Sequence, residues 1–237
     1  MKISRLLAVF VLVSILFAPP LARAQACKLA LVLALDISSS VNEREYALQL
    51  YGLARAFRTK EVIDAILTPE GASIAAIVYE WSGYNQQDIV IPWTMLKSRE
   101  EVLAFANRLS AHRRPFTDLT TALGKAVEYG AAMFARAPAC ARQVIDISGD
   151  GENNDGVGPD YFRAQGKLDG ITINGLVVQG AFPDPAPYYR DHVIQGPGAF
   201  LALARHFDDY PSVIIGKLLR EIGHELILGQ NEPDTRE

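Results

Sequence analysis

Residues 29–35 read LALVLAL, seven apolar residues in a row, and run straight into Asp36-Ile37-Ser38-Ser39-Ser40. That junction constrains the chain more than any other feature. An apolar run without alternation predicts a strand buried on both faces, as in a sheet covered by helices on each side. This one ends on a carboxylate, followed after Ile37 by three hydroxyls in a row. Such residues cap helices and close turns for local reasons, or they form one half of a site.

Downstream, apolar runs alternate with helical patterns. Tyr46, Leu50, Leu53 and Phe57 recur at i, i+4, i+7 and i+11, which predicts an amphipathic helix over about 41–58. Strands are expected over 73–80 and 88–93, joined by a Gly/Asn/Gln turn. That spacing suits a hairpin, and Pro92 suits an edge strand. Helices follow over 99–111 and 119–136, and strands over 142–148, 171–178 and, more briefly, 200–204. A last helix carries Ile215, Leu218, Leu219 and Ile222, with Pro211 near its first turn. Residues 182–198, rich in Pro and Gly, read as an irregular loop. The order predicts an α/β fold: a doubly wound, mainly parallel central sheet of about six strands, one of them an antiparallel edge strand, with helices on both faces.

The ends read differently. Lys2 and Arg5 precede an apolar stretch at 6–18 that is too short to span a bilayer comfortably. Pro19 and Pro20 break it, and Ala22-Arg23-Ala24 is an A-x-A cleavage signal, so residues 1–24 are expected to be a secretory signal peptide. One domain is expected over 25–228 and a polar tail over 229–237, in the periplasm or outside the cell. Cleavage removes Lys2, Arg5 and Arg23 and takes the net charge from −4 to −7. An acidic exported protein is a poor candidate for nucleic acid, and no later segment is long and apolar enough to cross a membrane. The cysteine count is two, Cys27 and Cys140. An even count in an exported chain points to a disulfide.

Three segments carry hard oxygen donors at strand ends or helix starts: Asp36-x-Ser38-x-Ser40, the stretch Phe116-Thr117-Asp118-Leu119-Thr120-Thr121, and Ser148-Gly149-Asp150-Gly151. In a doubly wound sheet such loops gather at the carboxyl ends of the strands. Two carboxylates with hydroxyls form an all-oxygen set, which suits Mg²⁺, Mn²⁺ or Ca²⁺ rather than zinc. A site with few carboxylates leaves coordination positions open for a carboxylate from outside.

On these residues the chain resembles the von Willebrand factor A domain family, whose metal-ion-dependent adhesion site has a D-x-S-x-S motif, a Thr before a helix and an Asp-Gly pair after the fourth strand. Asp36, Ser38 and Ser40 match the first part. Thr117 matches the Thr when TDLTTAL is laid on the family's T-x-x-G-x-A-L pattern, and Asp150-Gly151 matches the last. Thr120 stands where many members have a small residue, and it is the alternative to Thr117 as ligand. The chain is similar to an exported proteobacterial branch of the family. The resemblance implies a Rossmann-like fold, a divalent cation (most readily Mg²⁺) held by Asp36, Ser38, Ser40, Thr117 and Asp150, and a partner protein presenting a Glu or Asp carboxylate. It also makes the first and fourth strands neighbours, which puts Cys27 and Cys140 at the same edge and within disulfide reach. Asp146 departs from the family, which has an aliphatic residue mid-strand. A buried Asp needs a partner, and Arg142 or a nearby hydroxyl is available.

Other motifs fail. Counting from Asp150, position six is Asp155 and position twelve Tyr161, where a calcium loop needs Gly and Glu. Ser148 is not in G-x-S-x-G, and there is no P-loop. His112, His192, His206 and His224 show no metal-pair spacing. Trp81 and Tyr84, with Asn153 and Asn154, are expected on the rim, where they could anchor a partner; packing under the hairpin is the alternative for the aromatics. The expected function is therefore a metal-dependent binding module and not an enzyme. A metal-assisted hydrolase using the same carboxylates, or a degenerate site with a structural role only, are the alternatives.

Overall fold

The computed structural model describes residues 27–115 and 119–228, except for the side chains of 224–228. The expected signal peptide and C-terminal tail lie outside these residues, as does Thr117. Strand β1, Cys27–Asp36, is the apolar run and sits at the centre of the sheet. It pairs in parallel with β2, Ser73–Trp81, on one side and with β4, Gln143–Gly149, on the other. β3, Gln87–Leu96, returns antiparallel beside β2 and forms one edge. β5, Thr172–Val178, and β6, Leu201–Ala204, continue the parallel pairing to the other edge. The order is β3-β2-β1-β4-β5-β6, the expected mainly parallel sheet with one antiparallel edge strand.

Side chains alternate along β1 between two cores. Leu29, Leu31, Leu33 and Leu35 pack with helices α1 (Glu43–Ala56), α2 (Lys60–Leu67), α3 (Arg99–Ala111) and α7 (Tyr210–Leu228). Val32 and Ala34 pack on the other face with α4 (Leu123–Met133) and α5 (Pro159–Ala164). A strand that feeds two cores has no polar face, which is why its sequence does not alternate. Cys27 and Cys140 are joined by a disulfide, with their Cα atoms 4.5 Å apart. It ties the start of β1 to the segment that leads into β4.

Three differences from the sequence expectation have physical causes. Helix α1 begins at Glu43 rather than near 41, because Asn42 and Glu45 form a capping box: the Asn42 side chain accepts from Glu45 N and the Glu45 carboxylate from Asn42 N. Helix α4 begins at Leu123 rather than 119, because the backbone of Thr121 and Ala122 is bonded outward, to Asn154 and to Ser82. The Pro-rich loop contains a short helix α6, Ala186–Tyr188, that continues into a π-helical turn over Tyr189–Val193. Helices α2 and α5 were not expected; at eight and six residues each falls short of the window of about 11–18 residues in which a helical period is read.

Candidate metal centre

At the carboxyl ends of β1 and β4 the chain leaves the sheet on two acidic residues. Asp36 closes β1, and Asp150 follows directly on β4. Both are buried, Asp36 completely. Asp36 Oδ1 accepts from the backbone N–H of Ser38 at 2.7 Å, while Oδ2 is buried with no hydrogen-bond partner among the described residues. The Ser40 hydroxyl donates to Asp150 Oδ1 at 2.6 Å, and the Ser38 and Ser40 hydroxyls lie 3.1 Å apart. The structure thus brings Asp36, Ser38, Ser40 and Asp150 into one cluster. Ser38 is buried and Ser40 exposed, so the cluster runs from the core to solvent.

The loop after β1 is held from three sides. Ile37 N donates to Trp81 O and Ser39 N to Leu119 O, both at 2.9 Å. The Arg114 guanidinium donates to the carbonyls of Ile37, Ser38 and Val41 at 2.7–3.1 Å. Arg114 and Leu119 flank Thr117, and both bond this loop. Thr120 turns elsewhere, its hydroxyl donating to Asp155 at 2.7 Å. Asn153 and Asn154, expected on the rim, brace the backbone. Asn153 Oδ1 accepts from Gly124 N at 3.0 Å and supplies the cap that Ala122 cannot give α4. Asn154 Oδ1 accepts from Thr121 N at 2.8 Å. Trp81 is fully buried, so the packing alternative holds for it, whereas Tyr84 is half exposed beside Gly156.

Ser40, Glu45 and Asp150 line an adjoining cleft of about 380 Å³, together with Gln179, Gly180, Ala181, His206 and Phe207. His206, which shows no metal-pair spacing in the sequence and reads as a surface or loop residue, lines this cleft. Phe182, which follows Ala181 and belongs to no motif, is fully exposed.

Two buried carboxylates with no lysine or arginine paired to either among the described residues make an electrostatic problem. Burial pushes the Asp36 carboxyl up to about 7, with the charge of Asp150 adding to it and bonds from Ser38 opposing. Asp150 is raised too, by burial and the charge of Glu45, against the bond from Ser40. A divalent cation would relieve both, and the side chains bonded into the cluster, those of Asp36, Ser38, Ser40 and Asp150, all offer oxygen. Among the described residues no group of three or more His, Cys, Asp and Glu side chains stands at metal-binding distances.

The strain has a measurable sign. The folded pKa of Asp36 lies above its ordinary value of 3.8. Without metal its ionised form therefore costs stability, fully once pH exceeds about 7. In EDTA near pH 8, Asp36→Asn is expected to stabilise the chain by on the order of 2–4 kcal/mol. The gain should fade as pH drops and vanish near 3.8. Thermal melts across that range check it; a variant no more stable than wild type near pH 8 would show that the carboxylate is under no strain.

Residues 26–226 match the profile of a family described as "Protein of unknown function (DUF1194)". No curated protein matches the chain. Among solved structures, the fold is similar to a von Willebrand factor type A protein from Catenulispora acidiphila, at 14% identity and TM-score 0.60 over 84% of this chain and 43% of that one. It is similar to proximal thread matrix protein 1 from the mussel byssus with a zinc-occupied MIDAS motif, at 14% identity and TM-score 0.63 over 84% and 48%. It is also similar to the pilus adhesin SpaC from Lactobacillus rhamnosus GG, at 13% identity and TM-score 0.58 over 83% and 30%. This chain spans less than half the length of each. At these identities the likeness shows the fold, a von Willebrand factor A-like α/β fold, as the sequence predicted.

Proposed function

The chain belongs to the DUF1194 family, and on that premise we propose that it is an exported binding module that holds a divalent cation and offers the ion's open positions to a carboxylate on a partner protein. The observation that carries this is the pair of buried carboxylates, Asp36 and Asp150, with no basic side chain paired to either among the described residues and with Asp36 Oδ2 left without a hydrogen bond. Asp36, Ser38, Ser40 and Asp150 would hold the ion, and Thr117 is the further hydroxyl implied by the alignment. Bound there, the cation would supply a Lewis-acidic point charge for a Glu or Asp from outside. The hard oxygen donors favour Mg²⁺, with Mn²⁺ and Ca²⁺ next.

The protein's own contribution is to pre-form the cradle. Arg114 fixes the Asp36 loop through three carbonyls. Asn153 and Asn154 fix the loop after β4 against the start of α4. The exposed ring of Phe182, beside the cleft, is a ready anchor for a partner's apolar pocket. Binding, not turnover, is the reading the site supports: the three oxygen-bearing segments contain no His or Cys to act as base or nucleophile. Export rests on the signal-peptide pattern at 1–24 and is supported by the disulfide. Among the described residues no helix is long and apolar enough to cross a membrane.

The test is affinity capture from the cell envelope of the source organism in Mg²⁺ and in EDTA, with Asp36→Ala as bait control. The expected result is a partner retained by wild type in Mg²⁺ and lost in EDTA and with the variant. Partners retained equally in all three arms would contradict metal-dependent binding.

A further inference from the structure

Tyr189 lies in the π-helical turn of the Pro-rich segment, outside every motif that points to the site. Its side chain is fully buried, yet its hydroxyl has no hydrogen-bond partner among the described residues. Such a group is costly, and a Phe would fill the same volume without the penalty. The ring lies across two neighbouring strands where each has a glycine, Gly149 at the end of β4 and Gly175 in the middle of β5. A Cβ on Gly175 of β5 would stand 3.0 Å from the ring, and one on Gly149 of β4 would stand 2.4 Å from the hydroxyl. The same Cβ position at Gly149 is 2.9 Å from Asp36 Oδ2, itself a buried oxygen without a hydrogen-bond partner among the described residues. A donor and an acceptor, both unsatisfied, therefore lie within 3 Å of one point, and only the missing side chain of Gly149 leaves room for them.

We infer that Tyr189 is a positioning residue for the cation cradle: its hydroxyl reaches Asp36 Oδ2 across one bridging water and fixes the carboxylate that faces the ion. This rests on the metal reading above. In that reading Asp36 is ionised and must keep one orientation while Ser38 N holds Oδ1. A hydroxyl bridged to the second oxygen does that without adding charge. Neighbours that orient a metal ligand typically contribute roughly 10–100-fold in affinity.

The test is Mn²⁺ titration followed by electron paramagnetic resonance, with thermal melts in EDTA, on wild type and Tyr189→Phe. The expected result is a Kd for Mn²⁺ raised roughly 10–100-fold in the variant, with the melting temperature in EDTA unchanged or higher. A merely structural tyrosine would give the reverse: a lower melting temperature and an unchanged Kd. Wild type that binds Mn²⁺, beside a variant that binds it equally, would overturn the role of Tyr189 and leave the metal reading standing. Wild type that binds no Mn²⁺ would overturn both. Should Tyr189→Phe fail to fold, 3-fluorotyrosine placed at 189 serves instead: its ¹⁹F resonance should shift on addition of Mg²⁺, and a resonance that ignores Mg²⁺ would overturn the inference.

Discussion

Lys217→Met is expected to cost about 3–5 kcal/mol of folding stability near neutral pH, the usual result of leaving buried charge uncompensated. The Lys217 side chain is fully buried, with its ammonium 2.7 Å from Asp146 Oδ1 and 2.6 Å from Glu221 Oε1. Asn174 Nδ2 donates to the same Glu221 oxygen at 2.9 Å. This cluster joins β4, β5 and α7 beneath the candidate site. Burial, with the charge of Asp146 adding to it, pushes the Glu221 carboxyl up to about 7 even with Lys217 opposing. Without Lys217, two buried carboxylates face each other. Removing Lys217 takes away what opposes that rise, so the Glu221 carboxyl moves up further; the penalty grows as pH rises and shrinks as pH falls and Glu221 takes up its proton. Urea denaturation at about pH 8 and at about pH 5 checks both the size and the trend. A cost below about 1 kcal/mol at the higher pH would mean that the lysine does not compensate the pair.

The same cluster marks where the sequence stopped being legible. Asp146 stood out as a charged residue inside an apolar strand, and the need for a partner followed from burial alone. The partner is Lys217, not Arg142, which instead donates to the carbonyl of Glu221 at 2.9 Å. Asp146 and Lys217 are far apart in sequence, and only the docking of α7 on the sheet brings them together. A Lys and a Glu at i, i+4 on a helix look like an ordinary solvated pair, and nothing local reveals that these two are buried.

The sheet itself was readable. Apolar runs fixed the strands, Pro92 marked the edge, and the lack of alternation in β1 announced two covered faces. Asp36 and Asp150 were legible as strand-end carboxylates because the carboxyl ends of a parallel sheet converge. What supports them was not. Tyr189 comes from a loop whose prolines hid its helical turns, and Arg114 acts on backbone carbonyls, for which no side-chain pattern exists. Asn153 and Asn154 read as rim residues because asparagines in a polar loop look solvent-facing, and Asn154 is exposed. What no pattern shows is that their side-chain oxygens also accept from backbone donors in and just before α4. Trp81 shows the converse: an aromatic beside a turn suggested a surface anchor, but its last-in-strand position leaves it under the hairpin, fully buried.

The other large effect is total loss of cation binding in Asp36→Ala. Asp36 is a fully buried oxygen donor of the cluster, and its replacement removes one of the two buried carboxylates there and leaves the hydroxyls, which hold a divalent ion poorly by themselves. With an ion present at a hundredfold excess over its Kd, wild type should gain about 2.7 kcal/mol of stability, and the variant none. The direct measurement is calorimetric titration of Mg²⁺, Mn²⁺ and Ca²⁺ into the chelator-stripped protein at about pH 8, wild type beside Asp36→Ala. The predicted result is one ion per chain in wild type, Mg²⁺ or Mn²⁺ among those bound, and no binding in the variant. Wild type that takes up none of the three, or a variant that binds them as wild type does, would contradict the cation cradle.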